Sequence, residues 1–121
     1  MKAFHEVRNY NSDLMVWCSG YENISFVAHW QKEIELVYVQ SGEASFHVAD
    51  QSFTAHAGDL VICESGQIHY SDSYTTKNLL SFLIFDTNII SSRFHNPHFK
   101  NALVTAEELQ NLGLSDALHR V

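Results

Sequence analysis

From about residue 13 to residue 86 the chain is written in short strand-like runs broken by turn residues at close spacing. Leu14–Cys18 is apolar and Gly20–Asn23 breaks it. Ile24–Trp30 partly alternates polar with apolar, and Glu35–Val39 is β-branched and aromatic. Ser41-Gly42-Glu43 reads as a turn, Ala44–Val48 alternates, Ala49-Asp50-Gln51 turns, and Ser52–Ala55 resumes the alternation. Ala57-Gly58-Asp59 turns again before Leu60–Cys63, and Leu79–Phe85 is the last strong strand, ended by Asp86-Thr87-Asn88. No helical period competes here. Many short strands at this spacing specify an antiparallel sandwich or barrel.

After residue 88 the text changes. Thr105-Ala106-Glu107-Glu108 is a capping box, and Gly113 is placed to end the short helix it opens. Ser115–Leu118 begins a second helix, and only a turn and a half of it fits before Val121, too little to hold itself together. The expectation is a natural polypeptide that continues. The domain reading is a single unit over residues 1–121, with a barrel over about 13–86 and a helical tail over about 98–121.

Charge and cysteine usage exclude several classes. Seven basic against fourteen acidic side chains give a formal charge of -7, a surface that repels phosphates and does not bind DNA or RNA by itself. Cys18 and Cys63 form no CxxC pair, which excludes a zinc knuckle or a thioredoxin-type site. Cys63, inside the apolar run 60–63, reads as a small buried hydrophobe. The N-terminus has no apolar stretch of signal-peptide type, and no run approaches membrane-spanning length. The expected location is cytoplasmic. No P-loop, GxSxG or GxGxxG occurs. His95, His98 and His119 lack metal-ligand spacing and read as surface residues.

The chemistry concentrates in two blocks. His29, Gln31 and Glu35 precede Gly42, and Gly58 precedes Gly66 and His69. Residues i and i+2 of a strand share a face, so His29 and Gln31 point the same way. A bend near Lys32-Glu33 returns Glu35 to that face, and His69 arrives from another strand. The four converge in the mouth of the fold, where small ligands commonly bind. Two imidazoles and a carboxylate suit iron, zinc or manganese, but Gln31 is a weaker ligand than a histidine. The reading is therefore a metal-free pocket whose groups hydrogen-bond a ligand. An ion, if the site takes one, would sit on His29, Gln31, Glu35 and His69. Trp30 and Tyr38 are core or pocket aromatics, which alternation cannot separate. Tyr70 and Tyr74 flank the second block and are candidates to close the mouth.

The two blocks resemble the two halves of the cupin signature, G-x5-H-x-H-x3/4-E-x6-G and G-x5-P-x-G-x2-H-x3-N. His29, Glu35, Gly42, Gly58, Gly66 and His69 fall in place, while Asn23, Gln31, Glu64 and Ser73 depart from it. The wording of His29–Val39, Ser41–Glu43, Ala57–Ile62 and His69 is similar to the N-terminal cupin domain of AraC-type bacterial transcription regulators, over roughly residues 14–86. The resemblance implies an all-β, jelly-roll-like double-stranded β-helix barrel with a short C-terminal helical tail. It implies a sensor of a small effector such as a sugar, not an enzyme, that forms a homodimer. DNA would be bound only by a C-terminal helix-turn-helix domain that these residues do not contain. Two alternatives stay open: a stand-alone metal-dependent cupin enzyme of dioxygenase or isomerase type, and a dimerisation module with an empty barrel.

Overall fold

The structure, a computed structural model, describes residues 3–7, 16–22, 26–71, 77–86 and 100–120. Among these residues nine strands and two helices run in the order β1 (Phe4–His5), β2 (Val16–Glu22), β3 (Phe26–Trp30), β4 (Ile34–Val48), β5 (Gln51–His56), β6 (Leu60–Cys63), β7 (His69–Ser71), β8 (Asn78–Phe85), β9 (Leu103–Val104), α1 (Ala106–Asn111) and α2 (Ser115–His119). No helix among these residues is long and apolar enough to cross a membrane.

The strands make two faces that share β4. Residues 34–42 of β4 lie between β8 and β6, with β2 beyond β8 and β9 beyond β6. Residues 43–48 pair with β5, and 46–48 also pair with β7, beyond which lie β3 and then β1. Among the described residues, all pairings are antiparallel except β1 with β3. The turn expected at Ser41-Gly42-Glu43 is instead a bend inside one fifteen-residue strand. The register slips between Val39 and Ser41, and Gly42 follows at φ +75, where a Cβ would lie 1.9 Å from the Lys77 carbonyl oxygen. Only glycine permits that approach, so the strand passes from one face to the other here.

The closed barrel expected from the sequence is not formed among the described residues. β5 pairs only with β4, and β9 only with β6. Where a closing ladder would run, a side chain substitutes: Gln51 accepts from the Ala102 amide at 2.9 Å and donates to the Lys100 carbonyl at 3.4 Å. The fold is an open, sandwich-like arrangement around one interior.

That interior follows from alternation. Val37 and Val39 on the first half of β4, and Ala44, Phe46 and Val48 on the second, meet Val61, Leu80 and Phe82 in one buried cluster. Each large apolar side chain so buried contributes about 1.5–3 kcal/mol. β6 is buried throughout because its second face is covered too: Leu60 and Ile62 pack with Tyr38 and with Leu109 of α1.

Asp59 fixes α1 to the sheet. One carboxylate oxygen accepts from the His56 amide and the other from the Ala106 amide, both at 2.8 Å. The capping box forms as the sequence specifies: the Glu108 amide donates to Thr105 Oγ1, and the Thr105 amide donates to Glu108 Oε2. Gly113, at φ +73, follows the helix end.

Two glycine substitutions separate backbone strain from crowding. Gly66 has φ +81 and open space around its Cβ position, so Gly66→Ala is expected to cost about 1–2 kcal/mol from the left-handed backbone alone. Gly42→Ala adds the collision with Lys77 and is expected to cost at least about 3 kcal/mol. Urea denaturation of both variants measures the difference; equal losses would contradict the packing of the bend.

Candidate functional site

One end of the apolar interior is polar. β4 delivers Glu35 to it: Glu35 lies in register between Cys63 of β6 and Ile84 of β8, on the inner face with Val37 and Val39. β7 delivers His69, which pairs with His29 of β3 on one side and Val48 of β4 on the other. Two connections hold these strands in place. The chain bends at Lys32-Glu33, as the motif spacing requires, and the Gly66 amide donates to the Gln31 carbonyl at 2.8 Å. The Glu64 amide donates to Gln67 Oε1 at 2.9 Å and so closes the turn before β7.

His29, Glu35 and His69 are all buried, and one ligand-type atom from each lies within 4.8 Å of the others. The His29 and His69 rings meet edge-on, with centroids 4.1 Å apart. His69 Nδ1 donates to the Gln67 carbonyl at 3.1 Å, which places a proton on that nitrogen. Its Nε2 lies 2.7 Å from Glu35 Oε2, close enough for strong electrostatic coupling. In the neutral ring, Nε2 would turn its lone pair toward a carboxylate, which is repulsive. A second proton on the ring, or a cation between the groups, removes the repulsion. Burial pushes the His69 pKa down, but the Glu35 carboxylate outweighs it, helped by the Gln67 carbonyl and Glu6, and the net shift is upward.

Gln31 and Glu33 complete the buried set, at 2% and 1% exposure. Both amide atoms of Gln31 and both carboxylate oxygens of Glu33 lack a hydrogen-bond partner among the described residues. Leaving such groups dry costs about 1–3 kcal/mol for a neutral one and more for a charge. A polar guest, or water, relieves that cost. The residues also fit a divalent ion: two imidazoles and a carboxylate are within reach of a common centre, and the buried Gln31 oxygen is a neutral donor near them in sequence.

The spacing that singled out His29, Gln31, Glu35 and His69 therefore names residues buried in one region, three of them in a single cluster. Two other carboxylates were not singled out. Glu33 sits two positions from Gln31 and from Glu35, so its parity was a readable signal. Glu6 had none. It reaches the site because β1 runs parallel to β3, where the Glu6 amide donates to the Trp30 carbonyl and Glu6 Oε2 lies 3.3 Å from His29 Nε2. Phe4 stacks on His29 and His5 on Trp30. Tyr38 belongs to the core under α1. Tyr70 stacks on His47 instead of closing a mouth. Cys63 is a buried free thiol, as its run implied; burial first, then the adjacent Glu35, pushes its pKa well up, which keeps it protonated and inert. His119 is exposed, whereas Asn23, Ser73, Tyr74, His95 and His98 lie outside the described residues.

The Cupin domain family model matches residues 22–85. No curated protein matches the chain by sequence. Among solved structures, ToxT from Vibrio cholerae, an AraC-family regulator solved with an unsaturated fatty acid bound, is similar at a TM-score of 0.58 and 11% identity, covering 94% of this chain and 48% of its own. A mutant of Bacillus subtilis oxalate decarboxylase is similar at 0.53 and 16% identity, over 88% of this chain and 31% of its own. The plu4264 protein of Photorhabdus luminescens is similar at 0.54 and 18% identity, over 64% and 68%. At these identities the likeness is one of fold, and the chain spans less than half of the first two proteins.

The raised His69 pKa gives a signed pH effect. A group whose folded value is raised contributes stability that is complete below its unfolded value, near 6.5, and that is lost as pH rises through the folded value. In chelator-treated protein the melting temperature is therefore expected to fall above pH 6.5 by an increment that His69→Gln abolishes. Parallel pH profiles for the two proteins would contradict the His69–Glu35 coupling.

Proposed function

The chain belongs to the Cupin domain family, and from that premise we propose that it is the ligand-sensing and dimerisation domain of a bacterial AraC-type transcription regulator, binding a small polar effector such as a sugar. The observation that carries this reading is Gln31. It stands where the cupin signature has its second histidine, and its amide is buried with neither polar atom bonded. An amide can both donate to and accept from a hydroxyl-rich guest, while it weakens the site as a metal centre.

The wording of residues 14–86 supports the regulator assignment, and the fold shared with ToxT is consistent with it. The effector differs in charge from the fatty acid named for ToxT. Glu6, Glu33 and Glu35 bring three carboxylates to this region, and a carboxylate guest would meet repulsion there. The helical tail suits a dimer contact, since Leu112 and Leu114 are exposed beside the α1–α2 turn. DNA contact would come from a helix-turn-helix domain outside these residues. A ligand shifts such a regulator only through unequal affinity for its two states.

A metal-dependent cupin enzyme is the second reading, favoured by the cluster of His29, Glu35 and His69. Those three residues, with Gln31 as a neutral donor, would hold the ion. A bound iron, zinc or manganese would supply Lewis acidity or redox chemistry there. The chain's own part is to orient His69 through Gln67 and to keep Glu35 buried, in register between Cys63 and Ile84.

Elemental analysis of the purified protein, paired with thermal-shift titration of sugars and polyols, separates the two. The sensor reading expects well under one metal equivalent, a rise in melting temperature with an effector, and about tenfold weaker binding in Gln31→Ala. One equivalent of iron, zinc or manganese, lost in Glu35→Ala, would support the enzyme reading instead.

A further inference from the structure

His29, Gln31, Glu33 and Glu35 follow one another at two-residue intervals, and all four are buried, at 6%, 2%, 1% and 4% exposure. Of the residues between them Lys32 is exposed, Trp30 is half-buried and Ile34 is buried as well, at 3%. His29 lies on β3 and Glu35 on β4, with the bend at Lys32-Glu33 between them. The ends of the row, His29 and Glu35, enter the cluster with His69; Glu33 does not belong to that group. Among the described residues, neither of its carboxylate oxygens has a hydrogen-bond partner, and neither polar atom of Gln31 has one. The cation next in sequence does not help, because Lys32 is turned outward to Asp86, at 3.7 Å. A buried carboxylate without a partner is among the least favourable groups an interior can hold, and it is tolerated when something pairs with it.

We infer that Gln31 and Glu33 form a second subsite beside the His29–Glu35–His69 cluster, and that its guest carries a protonated amine together with hydroxyl groups, as an amino sugar does. The inference rests on the reading of this region as an effector pocket and names the class of effector. The donor count supports it. An ammonium group has three N–H donors; the two oxygens of Glu33 and Oε1 of Gln31 supply three acceptors, and Nε2 of Gln31 is left to donate to a hydroxyl. One carboxylate and one amide outside the cluster are too few to hold a hard cation by themselves. A charged partner matches the charge excess of the region, to which Glu6 and Glu35 also contribute.

Calorimetric and thermal-shift titration with two matched pairs tests this: glucosamine against glucose, and ethanolamine against ethylene glycol, on the wild type and on Glu33→Gln. The amine of at least one pair is expected to bind about tenfold or more tightly than its neutral twin. Glu33→Gln is expected to erase that preference and to raise the melting temperature of the ligand-free protein, because it replaces a buried carboxylate that has no partner among the described residues with an amide of the same shape. Equal binding of the neutral twins, a preference that survives in Glu33→Gln, or a lower melting temperature in that variant overturns the subsite. Neutral sugars that bind alike in wild type and Glu33→Gln but lose affinity in Gln31→Ala would leave the effector pocket standing without it. No response to any of the four probes counts against both.

Discussion

The passage of β4 through Gly42 is the constraint on which the other parts depend. Its first half is an interior strand of one face and its second half an interior strand of the other. The Lys77 carbonyl oxygen occupies the space a side chain would need at the crossing. Because β4 is shared, its alternation sets both walls at once: Val37 and Val39 on one side, Ala44, Phe46 and Val48 on the other. A one-residue slip would turn Leu36 and Tyr38 inward and Glu35 outward. The apolar walls and the polar end are thus consequences of a single register.

The polar end is where local rules are broken, and the contrast between two carboxylates shows the difference. Asp59, at 7% exposure, accepts two backbone amides at 2.8 Å and anchors α1. Glu33, at 1%, accepts none. One is a satisfied structural group; the other is unfavourable until a guest arrives. Buried groups that weaken the empty fold mark places where sequence serves binding instead of stability. Gln31 is of the same kind, while Glu35 and His69 partly offset each other's burial through their 2.7 Å contact.

Features that depend on near neighbours in sequence were legible in it. The β4–β5 hairpin at Ala49-Asp50, the Thr105 capping box, the Gly113 terminus and the start of α2 at Ser115 all form where the residues specify. The spacing of His29, Glu35 and His69 was enough to anticipate a cluster, because strand parity carries over short gaps. Features set by tertiary pairing were not legible. Gly42 looks like a turn until the Lys77 segment lies against it. Glu6 joins the site only through a parallel pairing of two residues. Openness of the sheet depends on whether β5 meets β9, where the Gln51 side chain replaces a ladder. Glu33 falls between: its parity was readable, but nothing in a sequence reveals that a buried carboxylate lacks a partner.

The central claim is that Gln31 and Glu33 are buried for a guest and not for the fold. A high-resolution crystal structure of the purified protein tests it most directly. The account predicts ordered density for a small molecule, beyond isolated waters, within hydrogen-bonding distance of the Gln31 amide and the Glu33 carboxylate. Finding both side chains hydrogen-bonded to other protein groups, with no space between them and the His29–Glu35–His69 cluster, would contradict it.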